Sequence, residues 1–304
     1  MLAIVIPYYK LRFFESTLQS LVMQTDKRFK VYIGDDASPE NPAEILKEYE
    51  DKLNFVYHRF ETNLGSVSLT QQWERCIQLM HDEKWLMILG DDDQLGENVV
   101  ELFNNAQYGF RDETINVIRF ASQVIDERGN RNSILYNHPE YELATDSFLR
   151  KWRNDTRSSL SEYIFRKASF QKYGFVNFPL AWYSDDMAWI EFASKGSILS
   201  INQGIVFFRY SEYNISGKTD NLDLKEISKL LFYERIARYR LNYFAKSQRV
   251  LLLTTFEAVL KKRQMFTFGY FLFFCKKYLA NGEFISLRKF FKRQIIYVVK
   301  GQKT

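Results

Sequence analysis

Four short strand-like runs, each ending in a cluster of polar residues, constrain this chain more than any other feature. They occupy residues 2–6, 30–33, 54–58 and 85–89, and the first and last are continuously apolar. An unbroken apolar run bounded by turn residues suits a strand buried on both faces, as in a parallel sheet. Helical patterns lie between the runs. Leu11, Phe14, Leu18, Leu21 and Val22 fall on one helical face. Residues 41–50 predict a helix with Pro42 in its first turn, and Leu69, Trp73, Cys76, Ile77 and Met80 form a further stripe. This β-α-β-α-β-α-β order predicts an α/β fold, with a mostly parallel, Rossmann-like sheet flanked by helices. Beyond it, residues 115–120 and 198–201 read as strands, and 146–152 and 187–194 as helices.

Ligands on such a sheet collect at the carboxyl ends of its strands. Pro7-Tyr8-Tyr9, Asp35-Asp36, Asn63-Leu64-Gly65 and Asp91-Asp92-Asp93 all stand there, one cluster per strand. Three adjacent carboxylates repel one another and are unfavourable to desolvate unless a cation neutralises them. Mg²⁺ and Mn²⁺ prefer oxygen ligands and commonly join one or two carboxylates to substrate phosphates. The other reading of the triplet is a solvated acidic turn capping a helix near Glu97. Asp35-Asp36-Ala37-Ser38-Pro39 is either an Asx-turn leading into a helix or a carboxylate that accepts hydrogen bonds from a nucleobase or ribose. Asp185-Asp186 opens a helix whose apolar face includes Trp189, Ile190 and Ala193. The pair either caps that helix or supplies a general base for a hydroxyl acceptor.

With 46% hydrophobic and 17% aromatic residues in 304, a disordered chain is excluded and a large core is expected. Cys76 and Cys275 belong to no metal or redox motif, which fits a reducing compartment and no structural zinc. His58, His81 and His138 are scattered and are expected at surface or loop positions. The opening residues lack a basic n-region and a cleavage site, so they read as a strand and not as a signal peptide. No run reaches the ~20 apolar residues needed to span a bilayer. The net charge of +5 conceals a division: residues 221–304 hold 18 Lys and Arg against 5 Asp and Glu, while residues 1–220 hold 24 against 32. A boundary near 217–220 follows, giving a first domain at 1–217 and a basic, aromatic helical region at 218–304.

Seven motifs in order resemble glycosyltransferase family 2, carried on the fold called GT-A. Ile4-Val5-Ile6-Pro7-Tyr8-Tyr9-Lys10 resembles the family's VIPTYN start. Ser20-Leu21-Val22-Met23-Gln24-Thr25 matches its S-x-x-x-Q-T segment. Asp35-Asp36-Ala37-Ser38 resembles DDGS with alanine for glycine, and Asn63-Leu64-Gly65 fits its N-x-G turn. Leu89-Gly90-Asp91-Asp92-Asp93 resembles L-D-x-D-D with Gly90 at the first aspartate. Ser184-Asp185-Asp186 through Gly196 resembles the "ED" helix, Asp185 aligning with its aspartate and Ser184 with its glutamate. Phe208-Arg209-Tyr210-Ser211-Glu212-Tyr213-Asn214-Ile215-Ser216 resembles YR-x-H-x-x-N-x-S, with Ser211 for histidine.

The resemblance, over residues 1–216, implies an inverting transfer of a sugar from a nucleotide-diphosphate donor, a UDP-sugar by family habit. It implies that Pro7, Tyr8 and Tyr9 line the nucleotide pocket and that Asp36 holds the base with Asp35 supporting the turn. Asn63 and Gly65 close the pocket, and Asp91, Asp92 and Asp93 bind ribose and a Mn²⁺ or Mg²⁺ ion on the diphosphate. Asp185 is the implied base, with Asp186 the second choice, and Arg209 a phosphate contact. The processive-synthase signature QxxRW is absent, which favours single transfers.

In residues 221–304, basic clusters such as Lys261-Lys262-Arg263 and Arg288-Lys289-Phe290-Phe291-Lys292-Arg293 alternate with aromatics. That alternation suits either a helix lying on an anionic membrane surface or a helical cap with solvated charges. No nucleic-acid motif accompanies it, and no nucleic-acid partner is expected. The expected acceptor is a saccharide or lipid-linked saccharide in cell-surface polysaccharide synthesis, and the expected location is cytoplasmic, peripheral on the inner face of the plasma membrane. A catalytically silent nucleotide-sugar-binding scaffold of the same fold is the alternative. It has no need of Asp91–Asp93 and Asp185-Asp186 crowded together.

Overall fold

A computed structural model of the chain describes residues 1–109, 115–212, 217 and 221–301. Tyr213 to Ser216 of the last motif, and most of the expected boundary at 217–220, lie outside the described residues. The chain divides into two compact units, Met1–Lys225 and Glu226–Thr304.

In the first unit the alternation of side chains along each central strand decides the architecture. Leu2, Ile4, Ile6 and Tyr8 of β1 (Leu2–Tyr8) enter one core, whereas Ala3 and Val5 enter a second. The same split divides Trp85 and Met87 from Leu86 and Ile88 in β4 (Trp85–Ile88). Both faces are buried, so the strands read as continuous apolar runs. β2 (Phe29–Asp35) and β3 (Phe55–Arg59) complete a parallel set in the order β3-β2-β1-β4. One core packs α1 (Phe14–Val22), α2 (Ala43–Tyr49) and, through Val99, Val100 and Phe103, α4 (Val99–Gly109). The other packs α3 (Leu69–Ile77). Truncating a side chain such as Ile4 to alanine costs about 2–5 kcal/mol.

The sheet continues past β4 with strands of mixed direction. β5 (Gln94–Leu95), β6 (Val117–Ile125), β7 (Tyr141–Leu143), β8 (Tyr163–Arg166) and β9 (Ser197–Arg209) extend the order as β4-β8-β6-β9-β5, with β7 also on β9. β8 runs antiparallel to both β4 and β6, while β6 and β9 are parallel. α5 (Ala144–Trp152), α6 (Lys167–Tyr173) and α7 (Ser184–Phe192) lie among these strands. α7 is buried at eight of its nine positions, and Trp189 stacks on Tyr163 with centroids 4.1 Å apart. A helix surrounded in this way is held by packing on all sides. The expected α/β architecture, with parallel strands flanked by helices and a helical C-terminal region, is the one observed.

The second unit is helical: most of α8 (Leu222–Arg235), a π-helical segment Ile236–Arg240, then α9 (Lys246–Lys262), α10 (Phe268–Ala280) and α11 (Phe284–Gly301). Phe290 of α11 lies in a cluster of rings with Phe266, Phe271, Phe274 and Tyr278, at centroid distances of 5.6–6.4 Å. Among the described residues, no helix is long and apolar enough to cross a membrane.

Candidate active site

The four polar clusters meet at the carboxyl edge of the parallel strands, and hydrogen bonds tie their four loops together. Asp91 Oδ2 accepts from the backbone N–H groups of Tyr9 and Lys10, both at 2.8 Å. The Ser38 hydroxyl donates to the Tyr9 carbonyl at 2.6 Å, and Ser38 N–H donates to Asp35 Oδ1 at 2.8 Å. The other oxygen of Asp35 accepts from the Tyr57 hydroxyl at 2.6 Å and the Arg59 guanidinium at 2.7 Å. Burial, with Asp35 as acceptor, pushes the Tyr57 phenol up to about 12, so it stays a donor. Asp35 thus joins the turn at Ser38 to Tyr57 and Arg59 of β3.

Asp36 is only 4% exposed and faces the loop after β3. Its carboxylate accepts from Leu64 N–H at 2.7 Å and Gly65 N–H at 2.8 Å, and is ion-paired with Arg75. Burial raises its pKa against these partners. Gly65 is required by this approach, because a Cβ there would sit 2.4 Å from Asp36 Oδ2. Asn63 closes its own turn, accepting from Ser66 N–H at 2.8 Å. Ala37, which stands where the resembled motif has glycine, has φ +52° and so adopts the left-handed conformation that glycine adopts freely.

The acidic triplet divides its work. Asp91 holds the loop after β1. Asp93 is buried and accepts from Arg209 N–H at 2.9 Å and from the Ser161 hydroxyl. Burial pushes its carboxyl up to about 6, against those two bonds. Asp92 makes no side-chain hydrogen bond among the described residues. Its carboxyl is pushed well up by burial, then by Asp93 and Asp91. A side chain at Gly90 would reach within 2.9 Å of Asp92 Oδ1, so glycine leaves room for these carboxylates. Asp91 and Asp92 face a hollow of about 330 Å³ with Tyr9, Lys10, Arg12, Phe13, Pro39 and Glu40. Of the expected nucleotide contacts, Tyr9, Asp91 and Asp92 line it. Tyr8 is buried, its hydroxyl donating to the Glu40 carbonyl at 2.8 Å, and Pro7 lies half-buried within β1. Lys10 and Arg12 are additions: two cations lining the same hollow, Arg12 paired with Glu127 at 2.7 Å, their signal being basic residues directly after the first strand.

Arg209, expected to contact phosphate, is 2% exposed and lies beneath the acidic loop. Its guanidinium donates to the carbonyls of Asp92 at 3.0 Å and Asp126 at 2.7 Å, and packs on Phe13 with 4.5 Å to the ring centroid. The structure gives it the part of a strut, because every face of the group is taken up inside the protein.

A second hollow, of about 380 Å³, includes Trp73, Lys151, Arg157, Trp182, Tyr183, Asp185, Asp186 and Phe208 in its lining. The turn entering α7 is strained, with Leu180, Ala181 and Tyr183 at φ +58°, +52° and +71°. Such conformations cluster at functional sites. Ser184 turns inward, its hydroxyl donating to the Val176 carbonyl at 2.6 Å. Asp186 is buried and ion-paired through both oxygens to Lys151 Nζ at 2.8 Å. Burial pushes it up to about 6, Lys151 opposing and Asp185 reinforcing the shift. Asp185 is half-buried on the hollow, and its carboxylate makes no hydrogen bond among the described residues. The partner that separates the two acids, Lys151, carries no signal in the sequence beyond its place at the end of a basic helix.

His138, expected at the surface or in a loop, is a loop residue but buried. Its Nδ1 lies 2.7 Å from Arg150, which joins Arg119 around Glu142 in a buried ion network anchoring α5, the helix that carries Lys151.

The donors available to a cation fit a site completed by its ligand. Asp92 is unsatisfied and crowded by like charge, Asp91 has one oxygen committed, and Asp93 is fully engaged. No group of three or more His, Cys, Asp or Glu that could hold a metal occurs among the described residues. One or two carboxylates plus substrate phosphates is the usual magnesium arrangement.

No protein of curated function matches the sequence. Among solved structures, that of S. aureus TarS superposes with a TM-score of 0.61 at 16% identity, covering 88% of this chain and 44% of TarS. The chain therefore spans less than half the length of that protein. TarS residues 1–349 in complex with UDP-GlcNAc gives a TM-score of 0.64 at 15% identity, over 92% of this chain and 80% of that one. GalNAc-T7 with UDP, GalNAc and Mn²⁺ gives 0.52 at 15% identity, over 86% and 56%. These likenesses establish the GT-A fold. The family model for glycosyl transferase family 2 matches residues 3–174, more than half of the sequence and including the three clusters that form the first hollow and the Asn63 turn. The chain belongs to glycosyl transferase family 2.

Proposed function

We propose that this protein is an inverting glycosyltransferase that moves a sugar from a nucleotide-diphosphate donor, a UDP-sugar, to a hydroxyl of a saccharide or lipid-linked saccharide in cell-surface polysaccharide synthesis. Residues 1–217 form the transferase domain. The observation that carries this reading is the pair of uncommitted carboxylates, Asp92 and Asp185, each facing a hollow while its acidic neighbours are held by other groups. The donor's diphosphate lies in the hollow of Asp91, Asp92, Lys10 and Arg12. A divalent ion, Mn²⁺ or Mg²⁺, held by Asp92 and the free oxygen of Asp91, would neutralise charge on the diphosphate. The acceptor enters the second hollow, where aromatic faces such as Trp182 suit a sugar ring. Asp185 takes the acceptor hydroxyl proton as that oxygen bonds to the anomeric carbon, and the bond to the nucleotide diphosphate breaks on the opposite side. The strut of Arg209, Ser161 and Asp93 fixes the loop that carries Asp92. The complexes of TarS with UDP-GlcNAc and of GalNAc-T7 with UDP support UDP as the nucleotide.

The test is a panel of UDP-, GDP- and dTDP-sugars with Mn²⁺ or Mg²⁺, read as nucleotide diphosphate release. Release from no donor, with binding retained, would assign the chain to the silent scaffold class. We further propose that the basic region 218–304 associates with an anionic membrane surface, where a lipid-linked acceptor is presented.

A further inference from the structure

We propose that the outward face of α11 is the membrane-contacting surface of the second unit and lies flat on a bilayer containing anionic lipid. The inference rests on the membrane reading above and assigns it to named side chains.

The face is defined by spacing. Residues 284, 285, 288, 291, 292, 295, 296 and 299 recur at intervals of three and four and fall on one side of the helix. Six of them are large and apolar, and they point to solvent: Ile285 is 74% exposed, Phe284 67% and Ile295 65%. On its other side the helix buries Phe290 and Gln294. There Phe290 joins the aromatic cluster, Arg293 pairs with Glu257 at 2.6 Å, and Gln294 donates to Glu257 at 2.8 Å. The outward apolar residues are therefore not left over from a poorly packed helix. They continue onto α10 through Phe291, whose ring lies 5.7 Å from Phe271, itself stacked 5.9 Å from the exposed Phe268.

Charge identifies the occupant. Arg288, Lys289 and Lys292 are interleaved with the apolar residues and have no acidic partner among the described residues, whereas the inward Arg293 is neutralised. Between Arg263 and Gly301 the sequence has one acidic residue, Glu283. A two-fold pairing of this face with a second copy would bring the three cations near their own counterparts. A protein partner is a poorer match, since lysine is depleted from the cores of protein interfaces. A lipid surface accepts both components, because apolar side chains enter the acyl boundary while Lys and Arg stems reach back to the headgroups. The helix cannot span: its 18 residues give about 27 Å, and four cations lie in its middle.

The experiment is flotation of the full chain with vesicles of phosphatidylcholine alone and of phosphatidylcholine with phosphatidylglycerol. Binding is expected only to the second kind and is reversed by salt. I295D/I296D should abolish it. R288E/K289E/K292E should lower the partition coefficient by at least about 100-fold, at roughly fivefold for each basic residue removed from an anionic surface, with repulsion of the new acids adding to it. All five positions are exposed, so unchanged melting curves are expected and serve as the folding control. Equal binding to both vesicle types would overturn the anionic preference. Full binding by both variants would overturn the assignment to α11 while leaving the broader membrane reading intact. Failure of the wild type to bind any vesicle would overturn both, as would lipid-free self-association that I295D/I296D removes. Donor turnover in the same variants, without vesicles, reports on the transferase reading independently.

Discussion

Asp185 and Asp186 are adjacent in sequence, yet replacing them should produce opposite kinds of damage. Asp186→Asn removes the partner of Lys151, whose side chain is 28% exposed and bonded through Nζ to both carboxylate oxygens at 2.8 Å. Breaking a buried pair on one side costs about 3–5 kcal/mol. Partial exposure of the lysine reduces this to about 2–3 kcal/mol. For a unit of the size of Met1–Lys225 that corresponds to a fall in Tm of about 5–10 °C. Lys151→Met in the Asp186→Asn background should restore most of the loss, because no orphaned charge remains. Asp185→Asn leaves no group unpaired and should stay within about 0.5 kcal/mol of wild type. It should instead lower kcat by about 10²–10⁴ while donor affinity is retained, the usual contribution of a positioned general base.

Thermal melts and diphosphate-release kinetics on the four proteins decide between the two roles. The assignment fails if Asp186→Asn melts like the wild type but does not turn over, and Asp185→Asn remains active. In that event Lys151 would be activating Asp186 and not sequestering it.

Three further outcomes follow from the site. Asp92→Asn should raise the metal-free Tm, by about 1 kcal/mol of relieved like-charge crowding, and should remove the Mn²⁺ dependence of donor binding in calorimetry; a Tm that falls would mean Asp92 has a partner. Ala37→Gly should stabilise by about 0.5–1 kcal/mol, since a left-handed alanine costs about 1–2 kcal/mol and the added glycine entropy cancels part of that, as read by urea denaturation. His138 is held down at about 2 by burial and by Arg119, Arg150 and Arg157. Its folded pKa lies below the unfolded value near 6.5, so the stability it confers is complete above that value and is lost as pH falls. Between pH 7 and pH 5 the loss is about 2 kcal/mol, measured as the difference between wild type and His138→Gln so that other titrating groups cancel.

Much of the fold was legible because the central strands are covered on both faces. Residues 2–6 and 85–89 had to be apolar throughout, and they announced themselves. The strands that escaped were short or interrupted. β5 has two residues and β7 three, too few for any period to register. β9 was legible only at 198–201, because Asn202, Gln203 and Gly204 break the run. The register against β6 shifts between Phe120 and Ala121 at that point, so the polar triplet is an irregularity inside one strand of 13 residues. In the site, the acids were legible by position at strand and helix ends. Their division of labour was not. Whether Asp93 or Asp92 is open depends on Ser161 and on Arg209, 116 residues away, and whether Asp185 or Asp186 is open depends on Lys151.

That division recurs in a way that explains why such sites carry acids in runs. A single carboxylate at a strand end would have to hold its loop and face the ligand with the same two oxygens. With neighbours, the tasks separate. Asp91 and Asp93 spend oxygens on the loop after β1 and on Ser161 and Arg209, which fixes the backbone on either side of Asp92. Asp186 does the same through Lys151 for Asp185. At the triplet the committed residues also raise the energy of Asp92 by like charge, so that carboxylate gains more from meeting a cation. The cost is local instability at Asp92 in the absence of ligand; Asp91 and Asp93 are held by hydrogen bonds and Asp186 by Lys151. Asp93→Asn should therefore bind donor more weakly even though the ligating oxygens of Asp92 and Asp91 are unchanged. If that variant bound normally, Asp93 would have no positioning role and its bonds to Ser161 and Arg209 would serve the fold alone.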